Sequence, residues 1–192
     1  MPNDGRSGED KDAEWILRED QLLCLASATR MDIIDHMAAH GPLSIRELAG
    51  QIGMQPSALY HHIERLLEVG LIVESGEQVS NRKSEKLYAT PSRRMRLRRA
   101  LSEGHYPEAM DRIVATLGRR AERDFARGQR GDDVRAEGEA RNLGFFRLVS
   151  RADSRRLAKI NALLEELAEL MWEEPDPDGK LVALTWIMAP ID

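Results

Sequence analysis

The sequence predicts a mainly α-helical protein with a small β component. Apolar residues recur three or four positions apart in several segments, which places them on one face of a helix. Residues that start and end helices flank these segments; Ser44 and Glu47 have the S-x-x-E spacing of a capping box. Two short runs rich in β-branched and aromatic residues surround a loop of glycine, asparagine and serine, which is typical of a hairpin.

The composition is that of an ordinary soluble protein. The 192 residues, 42% hydrophobic and 32% charged, suit one or two small domains. No apolar run approaches the roughly 20 residues that span a bilayer. The polar residues 1–12 are predicted to be a disordered tail without the features of a signal peptide. The single cysteine, Cys24, excludes an internal disulfide and multi-cysteine metal sites. We therefore expect a cytoplasmic protein with no membrane partner.

Residues 13–101 are predicted to form the first domain. Pro56 suits the first turn of a helix, where its missing N–H costs nothing, and Gly70 would end that helix. Four helices are expected, over about 13–25, 27–41, 44–53 and 56–70, then a hairpin at 71–90 and a basic helix at 91–101. Two short helices joined by a tight turn and followed by a hairpin are typical of a helix-turn-helix with a wing. The hairpin of residues 71–90 is called the wing below.

The front of the helix that begins at Pro56 carries side chains suited to reading base edges. A helix-turn-helix lays its second helix in the major groove, with the N-terminal residues facing the bases. Glutamine can pair with adenine, serine can bond to any base, and alanine can contact a thymine methyl group. Because this helix has little positive charge, the wing is expected to supply most phosphate contacts. The candidate DNA-binding residues are Gln55, Ser57, Ala58, Tyr60, His61 and Arg65 in the helix and Arg82, Lys83 and Lys86 in the wing.

The charge distribution supports a phosphate-binding patch on an otherwise acidic chain. The formal net charge is −5, yet residues 82–99 contain eight basic residues and one acidic residue, a net charge of +7. Such a patch is typical of a surface that contacts phosphates, and also of a solvated helix face. The position of residues 92–100 directly after the wing favours phosphates. The alternative partner is the run 165–178, which has seven acidic and no basic residues.

Residues 25–90 resemble the arsenic-repressor-like (ArsR-type) winged helix-turn-helix regulators. The resemblance rests on "SATR" at 27–30, "LSIRELAGQIGM" at 43–54, "SALYHHIERLLEVGLI" at 57–72 and "KLYAT" at 86–90, in that order. It implies a homodimeric transcriptional regulator that contacts double-stranded DNA through the recognition helix and wing, and we expect a repressor. His62 occupies the position of a histidine common in that helix. Metal-sensing members carry a cysteine pair before the turn, and "IRELAGQI" has none, so metal sensing is not implied.

Residues 102–192 are predicted to form a helical C-terminal region with about two strands. Helices are expected over 107–128 and 154–172, and "LGFFRLVS" (143–150) and "KLVALTWIMAP" (180–190) have strand composition. The leucine-rich seam of the last helix predicts core or dimer packing. The region is similar to the tails of longer relatives, which implies dimerisation or binding of a small-molecule effector. Its aromatic residues would be either plain core or the lining of an effector pocket; these are Phe145, Phe146, Trp172 and Trp186.

Other functions have weaker support in the sequence. Asp32, His36 and His40 are spaced four apart, which could place them around a metal ion. His40 also precedes Gly41, where a histidine favourably meets the negative end of a helix dipole. No motif assembles a nucleophile, a base and an oxyanion donor, so no enzymatic activity and no cofactor are expected. The alternative function is a winged helix that contacts another protein and not DNA, because the recognition helix has little basic charge.

Overall fold

The computed structural model describes residues 13–16, 18–80, 82–103, 106–176 and 178–191. The predicted disordered tail at 1–12 lies outside these residues. The chain divides into an N-terminal unit that ends at Arg119 and a C-terminal unit, residues 120–192. The division falls inside one long helix.

Seven helices and five strands occur within the described ranges. The helices are α1 (Glu19–Leu25), α2 (Ala28–His40), α3 (Ile45–Ile52), α4 (Pro56–Glu68), α5 (Arg98–Glu103), α6 (Pro107–Gly128) and α7 (Ser154–Met171). The strands are β1 (Ala13–Trp15), β2 (Leu43–Ser44), β3 (Val73–Ser80), β4 (Lys83–Ala89) and β5 (Arg94–Arg96). The hairpin β3–β4 follows the helix pair α3–α4, and β2, which precedes α3, completes an antiparallel sheet of order β2-β4-β3. This arrangement confirms the predicted winged helix-turn-helix fold class. No helix within these ranges is long and apolar enough to cross a bilayer.

Local signals set both ends of α3. The Ser44 hydroxyl accepts a hydrogen bond from the Glu47 backbone N–H at 3.3 Å, and the Ser44 N–H donates to the Glu47 carboxylate at 2.8 Å. This is the predicted capping box, and the Ser44 N–H bond lowers the pKa of Glu47. At the other end, Gly53 adopts a φ of +77°, a left-handed conformation that favours glycine. The N–H groups of Gly53 and Met54 both donate to the Ala49 carbonyl, and the chain then turns into α4.

One apolar core holds the N-terminal unit together. It contains side chains from α1 to α4, from the segment that leads into the wing, and from α6. The largest fully buried apolar side chains are Leu22, Ile33, Met37, Leu48, Leu59, Leu66, Leu71, Ile72 and Ile113. Leu59, Ile63 and Leu66 all lie on the inner face of α4, as their spacing predicted. The core therefore fixes which face of α4 points outward.

The wing hairpin forms where it was predicted, but its strands are longer than expected. Residues 76–80 and 83–85, expected to be loop, belong to β3 and β4, and β2 adds a strand that the sequence did not indicate. β3 and β4 pair antiparallel with an irregularity between Glu74 and Gly76, where Gly76 has a φ of +116°. β2 adds a third strand, with Leu43 opposite Tyr88. Two residues are too few to show an alternating pattern, so β2 could not be read from the sequence.

Two predicted helices are wrong in part. Residues 13–15, expected to begin the first helix, form β1, and α1 begins only at Glu19. The basic helix expected at 91–101 begins with β5, and only Arg98–Glu103 is helical. The cause is tertiary: β1 and β5 pair in parallel, and the pairing continues as the Ile16 N–H donates to the Arg96 carbonyl at 2.9 Å.

The region predicted at 102–192 has its predicted helices but not its predicted strands. α6 and α7 match expectation, and the Asp153 carboxylate caps α7 by accepting from the Arg156 N–H at 2.8 Å. Segments 143–150 and 180–190 form neither helix nor strand. The prediction of two strands is therefore wrong in a single copy of the chain. Neither segment meets a partner strand within the described residues of the unit.

The apolar side chains of the C-terminal unit are largely exposed. α7 buries none of its residues. Phe145, Phe146 and Trp186 are each more than half exposed and Trp172 is half-buried, so the predicted aromatic core is not formed. The Phe145 ring meets Phe125 edge to face, with centroids 5.5 Å apart. This unit does not bury its own apolar surface.

Candidate nucleic-acid interface

The front of α4 presents a cluster of exposed side chains. Gln55 is the N-cap residue, but its side chain makes no capping bond. Tyr60 is 61% exposed, directly beside Leu59, which is fully buried. Five of the predicted base-reading residues lie exposed within the first turns of α4; they are Gln55, Ser57, Ala58, Tyr60 and His61. The structure places them together on one surface.

Arg65 is separate from that cluster. It lies in the last turn of α4, about 15 Å along the helix axis from Gln55. Its guanidinium forms an ion pair with the Glu68 carboxylate at 2.8 Å, and this hydrogen bond raises the pKa of Arg65. The positive charge of Arg65 is therefore partly neutralised by Glu68 within the same helix.

The three candidate cations of the wing differ in their surroundings. Arg82, with a φ of +63°, and Lys83 are exposed where the hairpin turns. Within the described residues neither of them forms an ion pair. Lys86 bonds to the Glu74 carboxylate across the hairpin at 2.8 Å, which raises the pKa of Lys86. The positive charge available to a phosphate is therefore concentrated at the tip, in Arg82 and Lys83.

Arg46 connects α3 to the wing, and sequence reasoning missed it. Its guanidinium lies 2.7 Å from the Glu85 carboxylate and donates to the Ser80 hydroxyl at 2.5 Å. Both partners are more than 30 residues away in the sequence, so no local pattern could indicate the contact. The wing is thereby fixed to the first helix of the helix-turn-helix.

Two side chains from the start of α1 support the other end of α4. The Arg18 guanidinium donates to the Val69 carbonyl at 2.7 Å, and the Gln21 amide donates to the same oxygen at 3.2 Å. Val69 is the C-cap residue of α4, where carbonyl groups lack helical partners. These bonds anchor the helix whose opposite end carries the exposed cluster. They too are long-range and carry no local sequence signal.

Arg93, Arg94 and Arg96 of the basic segment after the wing lie outside any helix. Arg96, in β5, is only 9% exposed. The Arg93 guanidinium lies 3.4 Å from the Ala38 carbonyl of α2. The side chains of Arg93 and Arg96 are therefore turned partly into the fold. Phosphate contact by residues 92–100 stays a prediction.

His36, His40, His61 and His62 pack locally. His36 stacks on His40 with ring centroids 5.7 Å apart, and burial lowers the pKa of His36. Across the described ranges, no three histidine, cysteine, aspartate or glutamate side chains are placed to hold a metal ion, so Asp32 does not complete a site with this pair. Burial also lowers the pKa of His62, whose Nδ1 has no hydrogen-bond partner.

Comparison with known proteins identifies the central part of the N-terminal unit. Residues 25–75 match the model of a protein family described as "Helix-turn-helix domain". The chain contains a helix-turn-helix domain. The match covers α2, α3, α4 and the start of the wing, and membership of the ArsR-type family stays a prediction.

Two solved structures are similar over most of the chain, at low identity. One is RV1404 from Mycobacterium tuberculosis, with 18% identity over 78% of this chain and 80% of that chain, and a TM-score of 0.32. The other is an apo-form mutant of ZitR from Lactococcus lactis, with 14% identity over 77% and 83%, and a TM-score of 0.29. No curated protein matches this chain.

Proposed function

We propose that the protein is a sequence-specific transcriptional regulator, a homodimeric repressor that reads double-stranded DNA. Residues 13–101 would bind the DNA, and residues 102–192 would dimerise the chain. The observation that carries the proposal is the exposed cluster at the front of α4, directly opposite the buried face of the same helix. α4 is the second helix of the helix-turn-helix, the one that enters a major groove in such domains.

The chemistry of the cluster suits base recognition. The Gln55 amide, free of a capping bond, offers a donor and an acceptor, the pair that matches an adenine edge. Ser57 and Ala58 are small enough for the backbone to approach the bases closely. Tyr60 and His61 add longer polar side chains. A surface of this kind would distinguish base sequences, but it offers little positive charge to bind phosphates and so contributes little to overall affinity.

The wing would supply phosphate contacts. Arg82 and Lys83 lie at its tip, and Arg46 holds the hairpin against α3. A hairpin held in this way would present both cations at a fixed position relative to α4. Phosphate contacts are independent of base sequence and depend steeply on salt.

Exposed apolar surface supports dimerisation through the C-terminal unit. Large apolar side chains of α7 and of both predicted strand segments are exposed; they include Leu148, Leu163, Leu170, Leu184 and Ile187. Large apolar side chains exposed together on one region of a protein typically mark a protein–protein contact. A two-fold dimer would bring two copies of α4 to successive major grooves, about 34 Å apart on a near-palindromic site.

Fluorescence anisotropy of the full chain tests the proposal. One labelled duplex carries the region upstream of the protein's own gene and the other has random sequence, each measured at several salt concentrations. We expect tighter binding to the upstream duplex and a steep fall in affinity with salt. Absence of binding to any duplex at low salt would contradict the proposal. A promoter–reporter assay in which the protein raises expression would contradict repression specifically.

The tip of the wing gives a prediction about salt dependence. Replacing both Arg82 and Lys83 by alanine is expected to weaken upstream and random duplexes alike. It should also reduce the slope of log affinity against log salt by about 2, since each lost phosphate contact removes about 0.9. Lys86→Ala is compared with the single substitution Lys83→Ala, because Glu74 already pairs with Lys86, and its slope should change less than that of Lys83→Ala. An unchanged slope in the double variant would remove the wing from the interface.

The exposed surface of α7 gives a prediction about assembly. Leu163→Glu is expected to weaken self-association at least about tenfold, since it places a charge where about 2 kcal/mol of apolar burial is expected. Sedimentation equilibrium measures the change. Leu101→Glu is the matched control: Leu101 is 69% exposed and Leu163 is 65% exposed, but Leu101 lies in α5. Equal effects of the two substitutions, or a monomeric parent protein, would contradict dimerisation through α7.

The second candidate function is contact with another protein through the winged helix. It is favoured by the ion pairs that engage Arg65 and Lys86, which reduce the positive charge facing a duplex. A duplex affinity that hardly varies with salt, together with recovery of one stoichiometric protein partner that is lost with Tyr60→Ala, would favour this function over DNA binding.

A further inference from the structure

A surface cavity of about 370 Å³ that is open to solvent lies between the α1–α2 junction and α6, within the N-terminal unit, and Arg112, Ala115 and Arg119 are exposed on its wall. Its lining residues are Leu23, Ala26, Ser27, Arg30, Arg112, Ala115, Thr116 and Arg119. Three of these eight residues are arginines, and none of the described residues that line it is acidic. The cavity is distant in sequence from the exposed cluster of α4 and from the wing tip, and neither contributes a residue to it.

The sequence of α6 places one wall of the cavity. Arg112, Ala115, Thr116 and Arg119 are spaced at i, i+3, i+4 and i+7, so they share one face of the helix. Ala115 is small and leaves room between the two arginines, whose Cα atoms are about 10 Å apart along the axis. The Thr116 hydroxyl donates to the Ala26 carbonyl at 2.9 Å, which fixes this face of α6 against the end of α1.

The opposite wall adds the third guanidinium. Arg30 lies in the first turn of α2, and its Nε donates to the Cys24 carbonyl at 2.6 Å. That bond orients the side chain and leaves both terminal nitrogens available. Arg119 is oriented similarly, because its Nη2 donates to the Thr116 hydroxyl at 3.0 Å. Ser27 also lines the cavity, and its hydroxyl does not cap α2.

Charge balance indicates the class of occupant. None of the three arginines forms an ion pair with a described carboxylate, although the chain as a whole carries a net charge of −5. Guanidinium groups match the oxygens of phosphates and carboxylates, often through two parallel hydrogen bonds. The volume lies in the range of small-molecule sites and exceeds the space that one ion needs.

We propose that this cavity binds a small anionic metabolite, with its phosphate or carboxylate oxygens held by Arg30, Arg112 and Arg119 and the Ser27 hydroxyl. The apolar parts of the ligand would contact Leu23, Ala26 and Ala115. The site is complete within one chain and does not depend on the proposed binding of DNA. A ligand held there would connect α2 of the helix-turn-helix to α6.

Calorimetric titration of the full chain without DNA tests the site. The probes are inorganic phosphate and citrate, each at constant ionic strength against a chloride reference. We expect saturable binding of at least one probe and a rise in melting temperature with the same probe. Tighter binding of phosphate would indicate a phosphate-bearing ligand, and tighter binding of citrate would indicate a polycarboxylate. Absence of saturable binding of both probes would overturn the proposal.

Substitution separates this cavity from general attraction of anions. Arg112→Gln combined with Arg119→Gln is expected to weaken probe binding at least about tenfold, since two charge-assisted contacts are lost. Arg127→Gln is the matched control, because Arg127 is exposed on the same helix but does not line the cavity. It should bind the probe like the parent protein, and an equal loss in the control would overturn the site.

DNA phosphate is the competing occupant, and a second measurement detects it. Affinity for a random duplex is measured for the same double variant by anisotropy. A loss of duplex binding with unchanged probe binding would assign the arginines to the DNA backbone and overturn the proposal. The proposal would be supported if the double variant lost probe binding while its affinity for the duplex changed no more than that of Arg127→Gln. Thermal melting in chloride confirms that the variants are folded.

Discussion

Replacing Leu59 by alanine is expected to lower the free energy of unfolding of the N-terminal unit by about 2–5 kcal/mol. Leu59 is fully buried in the core, on the inner face of α4. Alanine removes apolar contacts and leaves a cavity that the surrounding helices fill only partly. Urea denaturation followed by circular dichroism measures the change. The lost stability should appear as a lower urea concentration at the midpoint of unfolding, while the dependence of the unfolding free energy on urea concentration stays similar.

Tyr60 provides the matched control for this experiment. It is adjacent to Leu59 on the same helix but is exposed to solvent. Tyr60→Ala should change the free energy of unfolding by no more than about 0.5 kcal/mol, as is usual for surface positions. A large loss for Tyr60→Ala, or a negligible one for Leu59→Ala, would show that α4 faces the core differently from the arrangement described here.

The exposed cluster at the front of α4 gives the prediction with the largest effect on DNA recognition. Gln55→Ala and Tyr60→Ala are each expected to cost about 1–3 kcal/mol in binding to the preferred duplex and much less on random sequence. The reason is that contacts with base edges carry specificity, whereas phosphate contacts are shared by all duplexes. Anisotropy on both duplexes, at one salt concentration, gives the ratio of the two affinities for each variant.

Gln129→Ala serves as the control for Gln55→Ala. It removes the same chemical group from an exposed position in the C-terminal unit, beyond the end of α6. It should leave the affinity ratio unchanged. If Gln55→Ala and Tyr60→Ala weakened preferred and random duplexes equally, neither residue would be a base reader, and recognition would have to lie elsewhere on the chain.

Local chemistry explains which parts of the fold could be predicted. The capping box at Ser44, the left-handed turn at Gly53 and the proline that opens α4 each act within four residues. The apolar spacing of α4 then decides which of its residues are exposed, and so identifies the cluster at its front. Because these signals agree with one another and with the core, the helix-turn-helix could be placed from sequence alone.

Long-range contacts account for what the sequence could not show. β1 pairs with β5, about eighty residues further along the chain. This pairing overrides the helical pattern that was expected at residues 13–15 and 94–96. The same holds for Arg46, which meets the wing only after folding. Residues 143–150 and 180–190 have strand composition, but a strand forms only against a neighbour, and the described residues of this unit offer none.

The attachment of Arg46 to the wing has a consequence for the thermodynamics of recognition. Because Arg46 bonds to Ser80 and Glu85 within the folded chain, the hairpin gives up much of its conformational entropy when the chain folds. A freely moving hairpin would instead have its backbone ordered on meeting a ligand. Association through the wing, as proposed, would therefore order little backbone, and the remaining entropic cost would fall on the exposed side chains of Arg82 and Lys83, at about 0.5–1.5 kcal/mol for each one immobilised.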